Sequence, residues 1–241
     1  MSHYYKKRKS RFTAQKLSLT AWLIIINISV YLFLKIYLLI TTPSTLEEIS
    51  NLPLLNYFIL KPTSILQGKY LPSLLLHFIT HIYLFHLLIN MFVLYSLGRL
   101  SERIIGRKRY IWFYVISGLF AGILSVLLSG FFGNTELGVR IFGSPDIFMM
   151  GASGAIFAIA GLYMILLPNI RFMIIFLPFF SLKATAMIPL VLFGVWALTI
   201  IFNLPIGNVA HFGGFLVGVV YGLYLKNRYK RKVLQLQKMF R

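Results

Sequence analysis

Six apolar stretches, each near the roughly 20 residues a helix needs to cross a bilayer, constrain this chain more than any other feature. They cover about residues 17–40, 81–98, 110–129, 150–167, 185–202 and 208–225. With 59% hydrophobic and 12% charged residues, the chain has the composition of an all-α polytopic membrane protein, not of a soluble domain. Cysteine is absent, which excludes a disulfide framework, a thiolate nucleophile and a cysteine-based metal site.

A net charge of +19 would suit a nucleic-acid binder, but the positions of the charges argue otherwise. Lys6, Lys7, Arg8, Lys9, Arg11 and Lys16 precede the first apolar run, and seven more bases follow the last, from Lys226 to Arg241. Arg99, Arg103, Arg107, Lys108 and Arg109 fall between the second and third runs. Six spans put 20 of the 24 Lys and Arg on one side, leaving Lys35, Lys61, Lys69 and Arg140 elsewhere, while Glu47, Glu48, Glu136 and Asp146 fall on the opposite side. The positive-inside rule then predicts both termini in the cytoplasm, and it rejects a seven-span alternative that would export the basic C-terminus. The expected organisation is a basic cytoplasmic tail at 1–16, a six-span core at 17–225 and a second basic tail at 226–241, with membrane lipid and not nucleic acid as the partner of the tails. The expected location is the cell (plasma) membrane.

Two connections are unusual. Residues 41–80 form a long first loop in which Pro43, Pro53, Pro62 and Pro72 interrupt apolar patches; it is too broken to span and is expected to lie in the interface or dip into the membrane. The segment 169–184 carries only nine apolar residues from Phe172 to Phe180, with Pro178 inside and Arg171 and Lys183 at its ends, and reads as surface-lying or partly extended. Pro189 predicts a kink in the fifth span.

Within the spans, four polar side chains stand out: His86 and Asn90 in the second, Ser153 in the fourth and His211 in the sixth. These spans all start at the outer face under the predicted topology, and at about 1.5 Å per residue His86, Ser153 and His211 lie within a turn or two of one depth. The sixth span carries His211 at the top of a stripe of Gly214, Gly218 and Gly222. The fourth carries Ser153, Gly154, Phe157, Ala158 and Gly161 on one face. Small faces allow close packing in lipid and would bring Ser153 to His211. His86 and Asn90 share a face one turn apart.

A serine becomes a nucleophile when a base removes its proton, and His211 is the candidate base. His86, the Asn90 amide and the Ser153 backbone N–H are candidate donors to an oxyanion. Carboxylates are expected to be missing from every span, so the chemistry implied is a Ser-His dyad and not a triad. His77, His81 and His86 lack the cysteine or carboxylate that would complete a metal set, so no metal is expected, and His77 and His81 read as structural hydrogen-bonding residues. Two other classes stay open: a proteolytically inactive membrane chaperone or substrate-binding protein on the same scaffold, and a small transporter.

Gly151-Ala152-Ser153-Gly154, Ala210-His211 followed by Gly214 and Gly218, and His86-x-x-x-Asn90 together resemble the signatures of the rhomboid family of intramembrane serine proteases. His77 and His81 match that family's first-loop spacing, and the resemblance runs from His77 to Leu225. The Trp-Arg pair common in the family's first loop is not evident here. The resemblance implies a six-helix rhomboid-type bundle and a serine endopeptidase without a cofactor. It assigns Ser153 as nucleophile, His211 as general base, and His86, Asn90 and the Ser153 amide as the oxyanion hole. Gly151 and Phe157 take positioning roles, Phe157 standing where some members stack a tyrosine on the catalytic histidine. The implied substrates are single-span membrane proteins whose helices unwind near small or helix-breaking residues.

Overall fold

The computed structural model describes residues 17–43, 45, 48, 52–174, 177–202, 204 and 206–240. The basic tail at 1–16 and part of the first loop lie outside the described residues. Among the described residues, five helices are long and apolar enough to cross a membrane: α1 (Leu19–Thr41), α5 (Leu84–Ile105), α6 (Arg107–Phe132), α9 (Ala184–Phe202) and α10 (Asn208–Arg228). Between α1 and α5 come α2 (Pro53–Phe58), α3 (Pro62–Leu66), α4 (Ser73–Leu76) and a 3-10 turn at His77–Ile79. The short α7 (Glu136–Phe142) follows α6, and the sixth apolar helix, α8 (Ser153–Leu166), has only 14 residues. The chain closes with α11 (Lys230–Met239). It is an integral, multi-pass membrane protein.

The long helices expose rows of large apolar side chains outward, among them Phe85, Leu88, Phe92 and Tyr95 on α5, and Leu190, Phe193 and Ile201 on α9. Such a surface is stable against hydrocarbon, not against water. The core surrounds α8, where Gly154, Ala155, Ile156, Ala158, Ile159, Ala160, Gly161, Leu162, Tyr163 and Leu166 are all buried. An apolar helix covered on nearly every side belongs at the centre of a bundle. At about 1.5 Å per residue α8 rises only about 21 Å, too short by itself to cross a hydrocarbon core of about 30 Å.

The predicted start of this helix at Met150 is corrected to Ser153. Gly151 has φ +120°, outside helical conformation. Met149 pairs instead with Leu60 in a two-way backbone bridge (Leu60 N to Met149 O 2.9 Å, Met149 N to Leu60 O 2.8 Å). The Gly151 N–H donates to the His77 carbonyl at 2.8 Å. The backbone just ahead of the serine is therefore hydrogen-bonded to the first loop, not to a further helical turn.

The loop itself is built by its prolines. Pro53 and Pro62 occupy the first positions of α2 and α3, where a missing N–H is harmless, and Pro72 precedes α4. Leu55 and Ile59 pack with Leu34 of α1, and Leu60 packs with Val126 and Met149. Phe78 and His77 lie directly against Gly118 and Gly122 of α6, at positions where a Cβ would come within 2.6 Å of either ring.

The second span continues to Ile105, so α5 contains Glu102, a carboxylate not expected in a span. Glu102 is buried and accepts from the backbone N–H of Leu19 (2.9 Å) and Thr20 (3.0 Å) and from Thr20 Oγ1 (3.0 Å). A negative group at the first amides of α1 satisfies donors that the helix leaves free. The segment after α8 is partly extended, as expected. Strands β1 (Arg171–Ile174) and β2 (Leu177–Lys183) pair antiparallel with Arg171 opposite Lys183, and Arg171 donates to Ser181 Oγ and to the Ser181 carbonyl. Pro189 lies within α9, one turn from its start.

Candidate active site

Ser153 is the first residue of α8, and its N–H belongs to the opening turn, where amides have no acceptor in their own helix. His211 is the fourth residue of α10. What brings these residues together is the contact between the two small faces. A Cβ on Gly214 would collide with the Gly154 carbonyl, one on Gly218 with the Ala158 carbonyl, and one on Gly161 would lie 2.5 Å from the Phe215 carbonyl. Backbone meets backbone along about two turns of α8, and at the top of this seam His211 Nε2 lies 2.8 Å from Ser153 Oγ.

The His211 ring is held from the other side by Phe157, stacked at 4.6 Å between centroids and 27° between planes. The imidazole hydrogen-bonds to the serine hydroxyl, and three carboxylates are engaged elsewhere: Glu102 at the start of α1, Glu136 with Arg140 at 2.8 Å, and Asp146 with Lys61 at 3.1 Å. The contacts that hold the ring in place are thus the Phe157 stack and the Ser153 hydrogen bond.

His86, the third residue of α5, lies against Gly151. A Cβ at residue 151 would fall 2.7 Å from His86 Cε1 and 2.9 Å from Nε2. Glycine is thus required twice at this position, by its φ and by the imidazole beside it. Asn90 is buried one turn along α5, where its Nδ2 donates to the His86 carbonyl at 2.9 Å. That bond uses one of the two amide hydrogens and fixes the direction of the other.

Sequence reasoning treated His77 and His81 as structural but did not connect them to the serine. The Ala152 N–H donates to His81 Nε2 at 3.4 Å, and the rings of His81 and His86 meet edge to face at 5.0 Å. His77 Nδ1 bonds the Ser73 carbonyl at 3.0 Å, and its own carbonyl receives Gly151. The two first-loop histidines therefore anchor the residues that aim Ser153. The signal available in the sequence was their four-residue spacing ahead of His86.

A family model of the rhomboid domain matches residues 69–228. The chain is 30% identical over 172 residues to a human presenilin-associated rhomboid-like protein, mitochondrial, covering 71% of this chain and 41% of that protein. It is 33% identical over 140 residues to RHOMBOID-like protein 5 of Arabidopsis thaliana, covering 58% of this chain and 39% of the relative. Against the rhomboid protease GlpG of Haemophilus influenzae it is 24% identical over 161 residues, covering 66% and 71%. The chain spans about two fifths of the length of the mitochondrial relatives it matches. The match covers the bundle from the end of the first loop through α10, including Gly151, Ser153, Phe157 and His211. This chain belongs to the rhomboid family.

Proposed function

We propose that the protein is an intramembrane serine endopeptidase that cleaves transmembrane segments of membrane proteins through a Ser153–His211 dyad. The observation that carries this reading is the 2.8 Å contact between Ser153 Oγ and His211 Nε2, made across 58 residues of sequence at the top of a seam too tight for any side chain. In the reaction, His211 takes the serine proton as Oγ attacks a substrate carbonyl. The oxyanion forms beside the free amides at the start of α8, with the Ser153 N–H, His86 and Asn90 as donors. His211 then protonates the leaving amine, and the acyl group on Ser153 is released by a water that passes its proton to His211. No cofactor enters any step.

The short, buried α8 supports this chemistry, because it places Ser153 at the head of a helix inside an apolar bundle, where a substrate helix would have to unwind before its carbonyls are exposed. The basic ends of α5, α6 and α10 support an orientation with those ends cytoplasmic and Ser153 toward the opposite face. Residues 17–225 form the proposed catalytic unit. The expectation of a plasma membrane is not carried forward, since several relatives are named mitochondrial. Single-span membrane proteins are the proposed substrates.

The test is labelling of the full chain in detergent with a serine-directed fluorophosphonate, alongside cleavage of a model transmembrane substrate. Label on Ser153 and turnover, both lost in Ser153→Ala, support the reading; an unlabelled but folded parent would point to the inactive, substrate-binding alternative.

A further inference from the structure

After Arg228 the chain breaks at Tyr229 (φ −125°, ψ 41°) and α11 folds back beneath the bundle. Val233 is buried, and Leu236 and Phe240 pack on the main core. Gln237 Nε2 donates to the Ile165 carbonyl at 3.5 Å, at the end of α8 opposite Ser153. The hinge ring of Tyr229 has Arg109 over it at 5.4 Å and Lys232 at 5.9 Å, and Arg109 Nη2 donates to its hydroxyl at 3.1 Å.

At about 100° per residue, Val233, Leu236, Gln237 and Phe240 share one face of α11, and Arg231 and Lys238 project from the opposite one. Lys226, Arg228, Lys230, Arg231, Lys232 and Lys238 are exposed, and among the described residues none has a carboxylate within 4.0 Å. Leu234 and Met239, 58% and 78% exposed, flank these cations. Bare apolar side chains beside unpaired bases, on a helix at the end of the bundle that carries Arg109, Lys226 and Arg228, suit a surface where headgroup phosphates and acyl chains meet. Glu102 is buried and bound to the start of α1 and not to these cations.

We propose that α11 is an anionic-phospholipid site: headgroup phosphates of the adjacent leaflet bind Arg231, Lys232 and Lys238 and hold the helix against the base of α8. The site is independent of the chemistry at Ser153. A soluble polyanion lacks acyl chains for Leu234 and Met239 and is the excluded occupant.

The experiment is hydrogen exchange of residues 230–240 in the full chain, in nanodiscs of phosphatidylcholine alone or with about 30 mol % phosphatidylglycerol. Exchange slows at least about tenfold with phosphatidylglycerol if the headgroups hold α11 down. The variant R231Q/K232Q/K238Q shifts the phosphatidylglycerol dependence about a hundredfold, at about fivefold per cation, while α5, α6 and α10 exchange as in the parent. A K232R/K238R variant, which keeps the charge, behaves like the parent. Equal exchange in the two lipids, an unshifted triple variant, or slowing by inorganic phosphate in phosphatidylcholine discs would each overturn the proposal.

Discussion

Gly214 lies so close to Gly154 that a methyl group on its α-carbon would overlap the Gly154 carbonyl oxygen. The distance between α8 and α10, and with it the Ser153–His211 contact, depends on the absence of that one carbon. Gly214→Ala should therefore destabilise the fold by about 1–3 kcal/mol or more through overpacking and backbone displacement, with a matching loss of turnover. Gly194→Ala on α9 has open space around its Cβ and should be neutral or slightly stabilising. Thermal unfolding of the two variants in the same detergent checks the contrast; equal midpoints would contradict the packing argument.

The stacking of Phe157 on His211 predicts a graded effect on catalysis. An aromatic pair contributes about 0.5–1.5 kcal/mol beyond burial, so Phe157→Leu should lower kcat about two- to tenfold with little change in KM, and Phe157→Tyr should keep the parent rate. Steady-state kinetics on a transmembrane substrate decide it. An unchanged Phe157→Leu rate would show that the α8–α10 seam alone orients the imidazole.

Asn90→Ala removes a proposed oxyanion donor without disturbing the dyad. The expected loss is about 10²- to 10³-fold in kcat, with fluorophosphonate labelling of Ser153 slowed and not abolished. Loss of substrate affinity alone, with kcat intact, would place Asn90 in binding and not in transition-state stabilisation.

His81→Ala leaves the Ala152 N–H without its buried acceptor, a penalty of about 1–3 kcal/mol, and opens space beside His86. The variant should be less stable and should lose activity although it touches neither Ser153 nor His211. Retention of both stability and rate would refute the view that the first loop aims the serine.

A pH effect is expected at the strap between the first loop and the loop before Ser153. There the Thr63 N–H donates to the Pro145 carbonyl at 3.0 Å, and Asp146 accepts from Thr63 Oγ1 at 2.9 Å and pairs with Lys61. The Thr63 hydroxyl first, then Lys61, hold the Asp146 carboxyl below its usual range. A depressed pKa means the stabilisation is present above the unfolded value of about 3.9 and lost as pH falls through the lower folded value. Asp146→Asn should be slightly less stable than the parent at pH 7, and the difference should shrink and then disappear as pH falls below the unfolded value of about 3.9. Asp146 is largely exposed, so added salt should also shrink it. A difference independent of pH and salt would rule out the ionic account.

The short helices of the first loop and the hairpin at 171–183 show how far local sequence can be read. The prolines of the first loop and the shortness of the 172–180 apolar run each excluded a span, because both are local steric and length constraints, whereas the short helices that begin at or just after Pro53, Pro62 and Pro72 came only from the structure. Glu102 escaped notice because its partners, Leu19 and Thr20, are more than 80 residues away and its own neighbourhood is ordinary helix. The placement of His81 under Ala152, 71 residues apart, was hidden for the same reason.

Hydropathy, charge placement and residue spacing determined by themselves that this chain is a helical membrane bundle with its polar side chains at one depth. Those properties follow from what water and hydrocarbon tolerate, residue by residue. The tertiary structure decided where α8 begins, which loop grips the backbone before Ser153 and how near His211 comes to it. Each of these depends on close contact between segments far apart in sequence, such as the carbonyl of Gly154 filling the space that glycine leaves at residue 214; the small-residue stripes signalled a close approach, but not which backbone atoms would meet.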